Sequence, residues 1–374
     1  MAGKARMISI ALAALLLVSC SGVKLEKGSW TGKNHKALTE LVREYGNMSP
    51  EYDPQNRPYA VFDFDNTLVV GDISLATMVY QIENLEFAIE PDVFFLALTD
   101  CIPNIDCALE GFPGISARML ATDLYNDYIY LYDNYISSRE MTLGEISRSD
   151  EFKDFRAKLW ALSLGADTTF GYETGCLWIL RLFSGMETAR VRELACRAAE
   201  AAMDERIREE KWTSPKSGEA SEVEVMVPRG LRIRKEMINL TETLIHNGID
   251  VYICSASSEL LVEAVAERWF PAIAETAVYG LRTTSGETMS PGARYAASYP
   301  HTFHEGKCEL IDRYIAPLHG RKGPILVAGD SNGDYAMLTS YASMKLGLII
   351  DRPSDGEIAA LKESGDGRYL VQKW

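Results

Sequence analysis

Four short apolar runs stand out along the chain: Tyr59 to Phe62, Val251 to Cys254, Ile325 to Ala328 and Leu346 to Ile350. Runs of this length without polar interruption read as strands buried on both faces. The first three end in polar clusters, DFDNT, SASS and GDSNGD. Helical spacing follows the second and third, over Ser258 to Trp269 and Asp334 to Tyr341, each opened by residues suited to a helix start. Before the second run, Met237, Leu240 and Leu244 give Arg234 to His246 one apolar face, and Gly248 stops it. Helix, strand, polar loop and helix in succession predict an α/β fold, a parallel sheet with helices on both faces. In such sheets ligands bind beyond the carboxyl ends of the strands, where all three polar clusters fall.

Between the first two runs lie about 150 residues, Ser74 to Val227, too many for a loop. Helical patterns cover Leu75 to Phe87, Ile115 to Tyr135, Phe152 to Leu164, Tyr172 to Phe183 and Thr188 to Lys211, so the insertion reads as a large all-helical cap. The predicted division is a core of residues 58–73 with 228–374, a cap of 74–227, and a polar tether of 20–57 carrying one helix at Lys36 to Tyr45.

Composition changes the picture at two points. With 374 residues, 47% of them hydrophobic, the chain can bury a large core, while a formal net charge of -15 disfavours nucleic acid as a partner. The start differs from the rest: Lys4 and Arg6, the apolar run Met7 to Val18, then Ser19 and Cys20. This has the form of a signal peptide over residues 1–19. Leu17-Val18-Ser19-Cys20 resembles a bacterial lipobox, which implies a lipid anchor on Cys20; an ordinary signal peptide with Cys20 near the cut is the alternative. The expected location is the bacterial cell envelope, tethered by lipid alone and facing the periplasm or the cell surface. Export would place the remaining cysteines in an oxidising compartment. There Cys101 and Cys107 bracket a turn-rich segment and could close a short disulfide loop or stay free. The Cys and His spacings do not suit zinc.

Asp63 and Asp65 sit two apart at a strand end, so both carboxylates project to one side of the chain. Their mutual repulsion makes sense if a cation lies between them or one holds a proton for acid work. Read singly, such residues have plainer explanations. An Asp-rich strand end can be a turn, Ser255 a helix cap, Lys307 a solvated surface lysine, and Asp330 with Asp334 a turn or a weak calcium loop.

Taken in order, Asp63-Phe64-Asp65-Asn66-Thr67, Ser255 after VYIC, Lys307 in Gly306-Lys307-Cys308, and Gly329-Asp330-Ser331-Asn332-Gly333-Asp334 resemble the four motifs of the haloacid dehalogenase superfamily. The resemblance covers Tyr59 to Ile73 and Pro228 to Trp374, and implies a Rossmann-like core in which the insertion is a type 1 cap. It further implies a Mg²⁺-dependent phosphatase. Asp63 would be the nucleophile and Asp65 the general acid and base. Ser255, Ala256 and Lys307 would hold the phosphate. Asp63, the Asp65 carbonyl, Asp330 and Asp334 would serve the metal, the last through water or by orienting Lys307. His301 and His304 have no role in that chemistry.

The cap would choose the leaving group, and its aromatics, among them Tyr125, Tyr128, Tyr132, Trp160 and Tyr172, read as helix core or, in part, as a cage for a quaternary ammonium. The segments around Ser255 and Asp330 look most like exported phosphorylcholine phosphatases, so the expected partner is a small phosphomonoester, with phosphorylcholine as a candidate. A broad-specificity acid phosphatase or phosphotransferase, and a catalytically silent binding lipoprotein, are the competing readings. Oligomeric state is left open by the sequence.

Overall fold

The computed structural model describes residues 23–374. The basic start, the apolar run and Cys20 lie outside these residues, and so does the leader expectation built on them. Among the described residues no helix is long and apolar enough to cross a membrane.

Six parallel strands form the central sheet: β1 (Tyr59–Phe62), β2 (Asp250–Ser258), β3 (Val278–Leu281), β4 (Leu326–Gly329), β5 (Leu346–Ile350) and β6 (Tyr369–Gln372). Their order is β3-β2-β1-β4-β5-β6. Every residue of β1 is buried, as its unbroken apolar run predicts, and Ala60 pairs with Val251 on one side and Leu326 on the other. The order reverses direction between β1 and β4, which makes that edge the topological switch point where sheets of this kind open a crevice.

Helix α1 (Gly32–Tyr45) is capped by Thr31, whose hydroxyl accepts from Asn34 N at 3.2 Å. The Asn34 amide donates to Val371 O (3.0 Å) and Gln372 Oε1 (2.9 Å), tying the segment before the core to β6.

The insertion carries α2 (Ile73–Asn84), α3 (Pro91–Thr99), α4 (Ala117–Leu131), α5 (Asp150–Phe170), α6 (Tyr172–Arg181) and α7 (Thr188–Asp204). It is helical in bulk but not throughout, which corrects the all-helical expectation. Antiparallel pairs join Ala108–Leu109 to Phe112–Ser116 and Arg208–Thr213 to Glu224–Arg229. The helix expected to run to Lys211 ends at Asp204. Beyond it Glu224–Arg229 alternates exposed and buried residues, the two-residue period of a strand.

Two apolar interiors result. One surrounds the sheet and takes in the buried face of α7, including Val191, Leu194 and Ala195. The other lies within the insertion, where the Phe94 and Tyr128 rings stack at 3.8 Å and the Tyr128 hydroxyl donates to Ile89 O at 2.6 Å. Tyr128 is therefore core and not part of a ligand cage. Cys101 and Cys107 do not pair: both thiols are free, and Cys107 Sγ donates to Asn104 O at 3.3 Å. The segment is instead held by the Asp106–Arg118 ion pair.

The chain leaves and re-enters the core through adjacent segments, Val69–Val70 pairing with Arg232–Ile233. Gly71 at this crossing has φ +101°, and a Cβ there would sit 3.1 Å from Gly230 O. Both facts favour glycine.

Candidate active site

Asp63 ends β1, its N–H donating to Ala328 O (2.9 Å) of β4, so the residue stands at the switch point. A wide turn over Phe64–Leu68 follows, with Asn66 in the left-handed region at φ 59°. Asn66 N donates to Gly71 O (2.9 Å) and its side-chain oxygen accepts from Gly71 N (3.2 Å), which closes the turn. Asp65 is thereby directed away from Asp63. Its Oδ1 accepts from Ile73 N (2.7 Å) and its Oδ2 from Ser257 Oγ (2.6 Å).

Asp63 is buried and both of its oxygens are engaged, Oδ1 by Lys307 Nζ (2.7 Å) and Oδ2 by Thr67 Oγ (2.9 Å). Lys307 belongs to α10 (Glu305–Leu310) and is buried between Asp63 and Asp334 Oδ1 (2.6 Å). The preceding Gly306 is obligatory, since a Cβ there would lie 1.7 Å from His301 O. Asp334 Oδ2 accepts from Asp330 N (2.9 Å) and Ser331 N (3.1 Å). Gly329 allows this fold-back, because a Cβ there would meet the Asp334 Cβ at 2.5 Å.

Asp63, Asp330 and Asp334 are all buried and offer oxygens within 4.8 Å of one another. Burial and the charge of Asp334 push Asp63 up to about 6 against the pull of Lys307. Burial, Asp63 and Asp334 push Asp330 up to about 8. Burial, followed by the charge of Asp72, raises Asp65 well above the usual carboxylate range. For Lys307, burial alone would lower the value; the charges of Asp334 and Asp63 outweigh it and keep the ammonium protonated.

The crowding of acids and the all-oxygen donor set fit a hard divalent cation such as Mg²⁺. Asp330 Oδ2 is buried and, among the described residues, has no hydrogen bond and one ion pair, to the Arg352 guanidinium. Asp334 Oδ2 already accepts from two amides and the Ser331 hydroxyl, whereas each Asp63 oxygen has one hydrogen-bond donor and Asp330 Oδ2 none, so Asp63 and Asp330 are better placed than Asp334 to hold the ion. The Asp65 carboxylate stands outside this cluster.

The structure also places the remaining sequence candidates. Ala256 lines a cavity of about 340 Å³ together with Asp63, Asp65, Lys307, Asp330 and Asp334. Ser255 is fully buried, with Oγ accepting from Ser257 N at 3.1 Å. The helix expected over Arg234 to His246 is α8 (Lys235–His246), and the one expected over Ser258 to Trp269 starts at Glu259. β2 continues to Ser258, which pairs with Leu281 beyond a register shift, and α9 (Glu259–Trp269) starts only after that. The amides following Ser255 therefore belong to a strand end. His304 lines the cavity, while His301 Nδ1 pairs with Glu173 of the insertion at 3.1 Å.

Sequence reasoning missed three members of the site. Ser257 bonds Asp65 from 192 positions away, Asp72 lines the cavity beside it, and Arg352 reaches Asp330 from the loop after β5. Only Asp72 carried a local sign, as the helix-capping residue whose Oδ1 accepts from Leu75 N at 2.9 Å.

No protein-family model and no curated protein matches the sequence. Among solved structures, the chain is similar to a conserved protein of unknown function from Anaerococcus prevotii DSM 20548, with 29% identity and a TM-score of 0.86 over 93% of this chain and 94% of that one. Looser likenesses are to cytosolic 5'-nucleotidase IIIB bound to cytidine (14% identity, TM-score 0.36, 93% and 90% covered) and to a phosphoserine phosphohydrolase-like protein from Francisella tularensis subsp. tularensis SCHU S4 (11% identity, TM-score 0.33, 82% and 99% covered). The similarity that spans both chains closely is thus to a protein of unknown function, and the two named enzymes superpose too loosely to carry the functional argument.

Proposed function

We propose that this chain is a Mg²⁺-dependent phosphatase of the haloacid dehalogenase superfamily, hydrolysing small organic phosphates through an aspartyl-phosphate on Asp63. The observation that carries the reading is the Asp63–Lys307–Asp334 chain at the switch point, with Asp65 turned toward the neighbouring cleft. A carboxylate held by a buried ammonium and facing two further acids is suited to phosphoryl chemistry, which demands positioning and charge neutralisation above all.

Asp63 attacks phosphorus, the ester P–O bond breaks, and Asp65 gives its proton to the departing oxygen. Asp65 then takes a proton from water, whose oxygen attacks phosphorus and breaks the bond to Asp63, releasing phosphate. Lys307 neutralises the nucleophile and the bound phosphate, and Asp334 orients Lys307. Mg²⁺ held by Asp63 and Asp330 would supply further neutralisation of the phosphoryl oxygens. Phosphorylcholine is the substrate nominated by the sequence resemblance, and the lipobox-like start supports placement in the envelope with a lipid on Cys20.

The test is phosphate release by the protein and by Asp63→Asn, with Mg²⁺ or EDTA, over phosphorylcholine, phosphoethanolamine, phosphoserine, sugar phosphates and p-nitrophenyl phosphate. Turnover that needs both Mg²⁺ and Asp63 supports the reading. Substantial Mg²⁺-dependent turnover by Asp63→Asn would overturn the nucleophile, and silence on every ester would favour a binding protein.

A further inference from the structure

Beside the catalytic cavity lies a second chamber of about 270 Å³, sharing Asp72, Tyr172 and Ala256 with it. One wall is a face of α5, where Trp160, Ser163 and Asp167 follow at helical spacing, and the next is α6 with Tyr172 and Gly175. The core side is formed in part by Ser74 and Ser257. These two serines connect the chamber to the acid: Ser74 Oγ donates to Ser257 Oγ (2.8 Å), which donates to Asp65 Oδ2 (2.6 Å). Asp65 itself lines the adjoining cavity, so an alcohol protonated by it would depart at the border of the two spaces.

One lining group is out of place in a largely apolar enclosure. The Asp167 carboxylate is half-buried, and no hydrogen bond or ion pair reaches it among the described residues; burial raises its proton affinity and no neighbouring group offsets this. Comparable carboxylates elsewhere are paired: Asp123 and Asp154 with Lys158, Glu86 with Arg190 and Arg197, Asp100 with Arg181 and Arg294. The backbone of α6 comes close to Asp167 at Gly175, where a Cβ would lie 2.6 Å from its Oδ1. An uncompensated carboxylate in such surroundings is complementary to a cation.

Two rings, Trp160 and Tyr172, line the chamber, and each is packed against a ring outside it. Trp160 meets Trp212 edge-on at 6.0 Å, and Tyr172 meets Phe303 edge-on at 5.5 Å. The recognising group, the Asp167 carboxylate, is a hydrogen-bond acceptor, which favours an ammonium that carries N–H donors over a quaternary one. We infer that the chamber receives alcohol leaving groups bearing a protonated amine and that Asp167 selects them, an inference that rests on the phosphatase reading of the adjoining cavity.

The experiment compares O-phosphoethanolamine with n-propyl phosphate, in which a methyl replaces the ammonium, and with phosphorylcholine. Steady-state kinetics on the full chain give kcat and KM separately, and calorimetry on the Asp63→Asn protein reads binding without turnover. The expected result is a preference for phosphoethanolamine over propyl phosphate of about tenfold to a hundredfold, the range of a charge-assisted hydrogen bond. It should appear mainly in KM and collapse toward one in Asp167→Asn. Phosphorylcholine should bind less tightly than phosphoethanolamine. Gly175→Ala, which crowds Oδ1, should reduce the same ratio. Equal binding of propyl phosphate, a loss in Asp167→Asn that is equal for all ligands, or tighter binding of phosphorylcholine would overturn the inference. Selective binding without hydrolysis of any ester would leave the chamber's preference standing and remove the phosphatase reading instead.

Discussion

Replacing Lys307 by Met removes a charge while keeping most of the side-chain volume, so the consequence is electrostatic and not a cavity. The Lys307 side chain is 2% exposed and lies 2.7 Å from Asp63 and 2.6 Å from Asp334. Breaking a buried pair of this kind leaves unpaired charge behind and costs about 3–5 kcal/mol. The lower end applies here, because Asp63 keeps the Thr67 hydroxyl and Asp334 keeps the amides of Asp330 and Ser331. A loss of about 3 kcal/mol at pH 7.5 is expected from urea unfolding in the presence of EDTA. Its pH dependence has a definite sign. Without the ammonium, Asp63 and Asp330 rise further above their already raised values, so the folded chain binds more protons than the unfolded one. Stability then increases as the pH falls, and the deficit should shrink at pH 5.5. Added Mg²⁺ should shrink it as well. A deficit under about 1 kcal/mol, or one identical at both pH values, would refute the account of Lys307 as the counter-charge of this cluster.

Gly329→Ala should drive the Asp334 side chain, 2.5 Å from the new Cβ, off Lys307 and lower kcat by about a hundredfold, with circular dichroism showing an intact fold. His319 donates from Nδ1 to Arg57 O (2.7 Å) and accepts at Nε2 from the Tyr252 hydroxyl (2.8 Å), so the fold holds it neutral. Burial lowers its pKa from 6.5, so the unfolded chain takes the proton first. Stability should therefore fall as the pH drops below about 6.5, by at most about 1.4 kcal/mol per pH unit for this one proton. His319→Gln should flatten that part of the urea-midpoint profile between pH 5 and 7. Cys20→Ala should release the protein from membranes in fractionation, and unchanged lipid labelling would refute the anchor.

Four of the six sheet strands were legible because continuous apolar runs have few other uses. The two that escaped lie at the sheet's edges. Val278–Leu281 is short and interrupted by Gly280, and Tyr369–Gln372 ends in a Gln whose burial is made tolerable by Asn34. The second hairpin of the insertion opens as Arg208-Glu209-Glu210-Lys211, a composition that suits a helix surface equally well, and only cross-strand pairing decides it. At the site, Asp63, Lys307, Asp330 and Asp334 were readable because each has a fixed place relative to a strand end or a helix start. Arg352 and Ser257 were not, since their importance comes from distant parts of the chain brought together by the sheet order. Asp167 was hidden for a different reason. A lone acid on a helix is ordinary until every possible partner is seen to be elsewhere.

The central place of β1 has a consequence for synthesis. Its neighbours are Asp250 to Ile253 and Leu326 to Ala328, so the strand that leads into Asp63 is made long before either flank exists. At 5–20 residues per second, the ribosome needs about 10 to 38 s to pass from Phe62 to Ile253, where the first flank is complete. During that interval the insertion, which has its own apolar interior, can collapse while β1 remains an unpaired hydrophobic edge. The nascent chain should thus depend on chaperone cover for this one short segment, and the cluster of Asp63, Lys307, Asp330 and Asp334 should assemble only when the last quarter of the protein has been added.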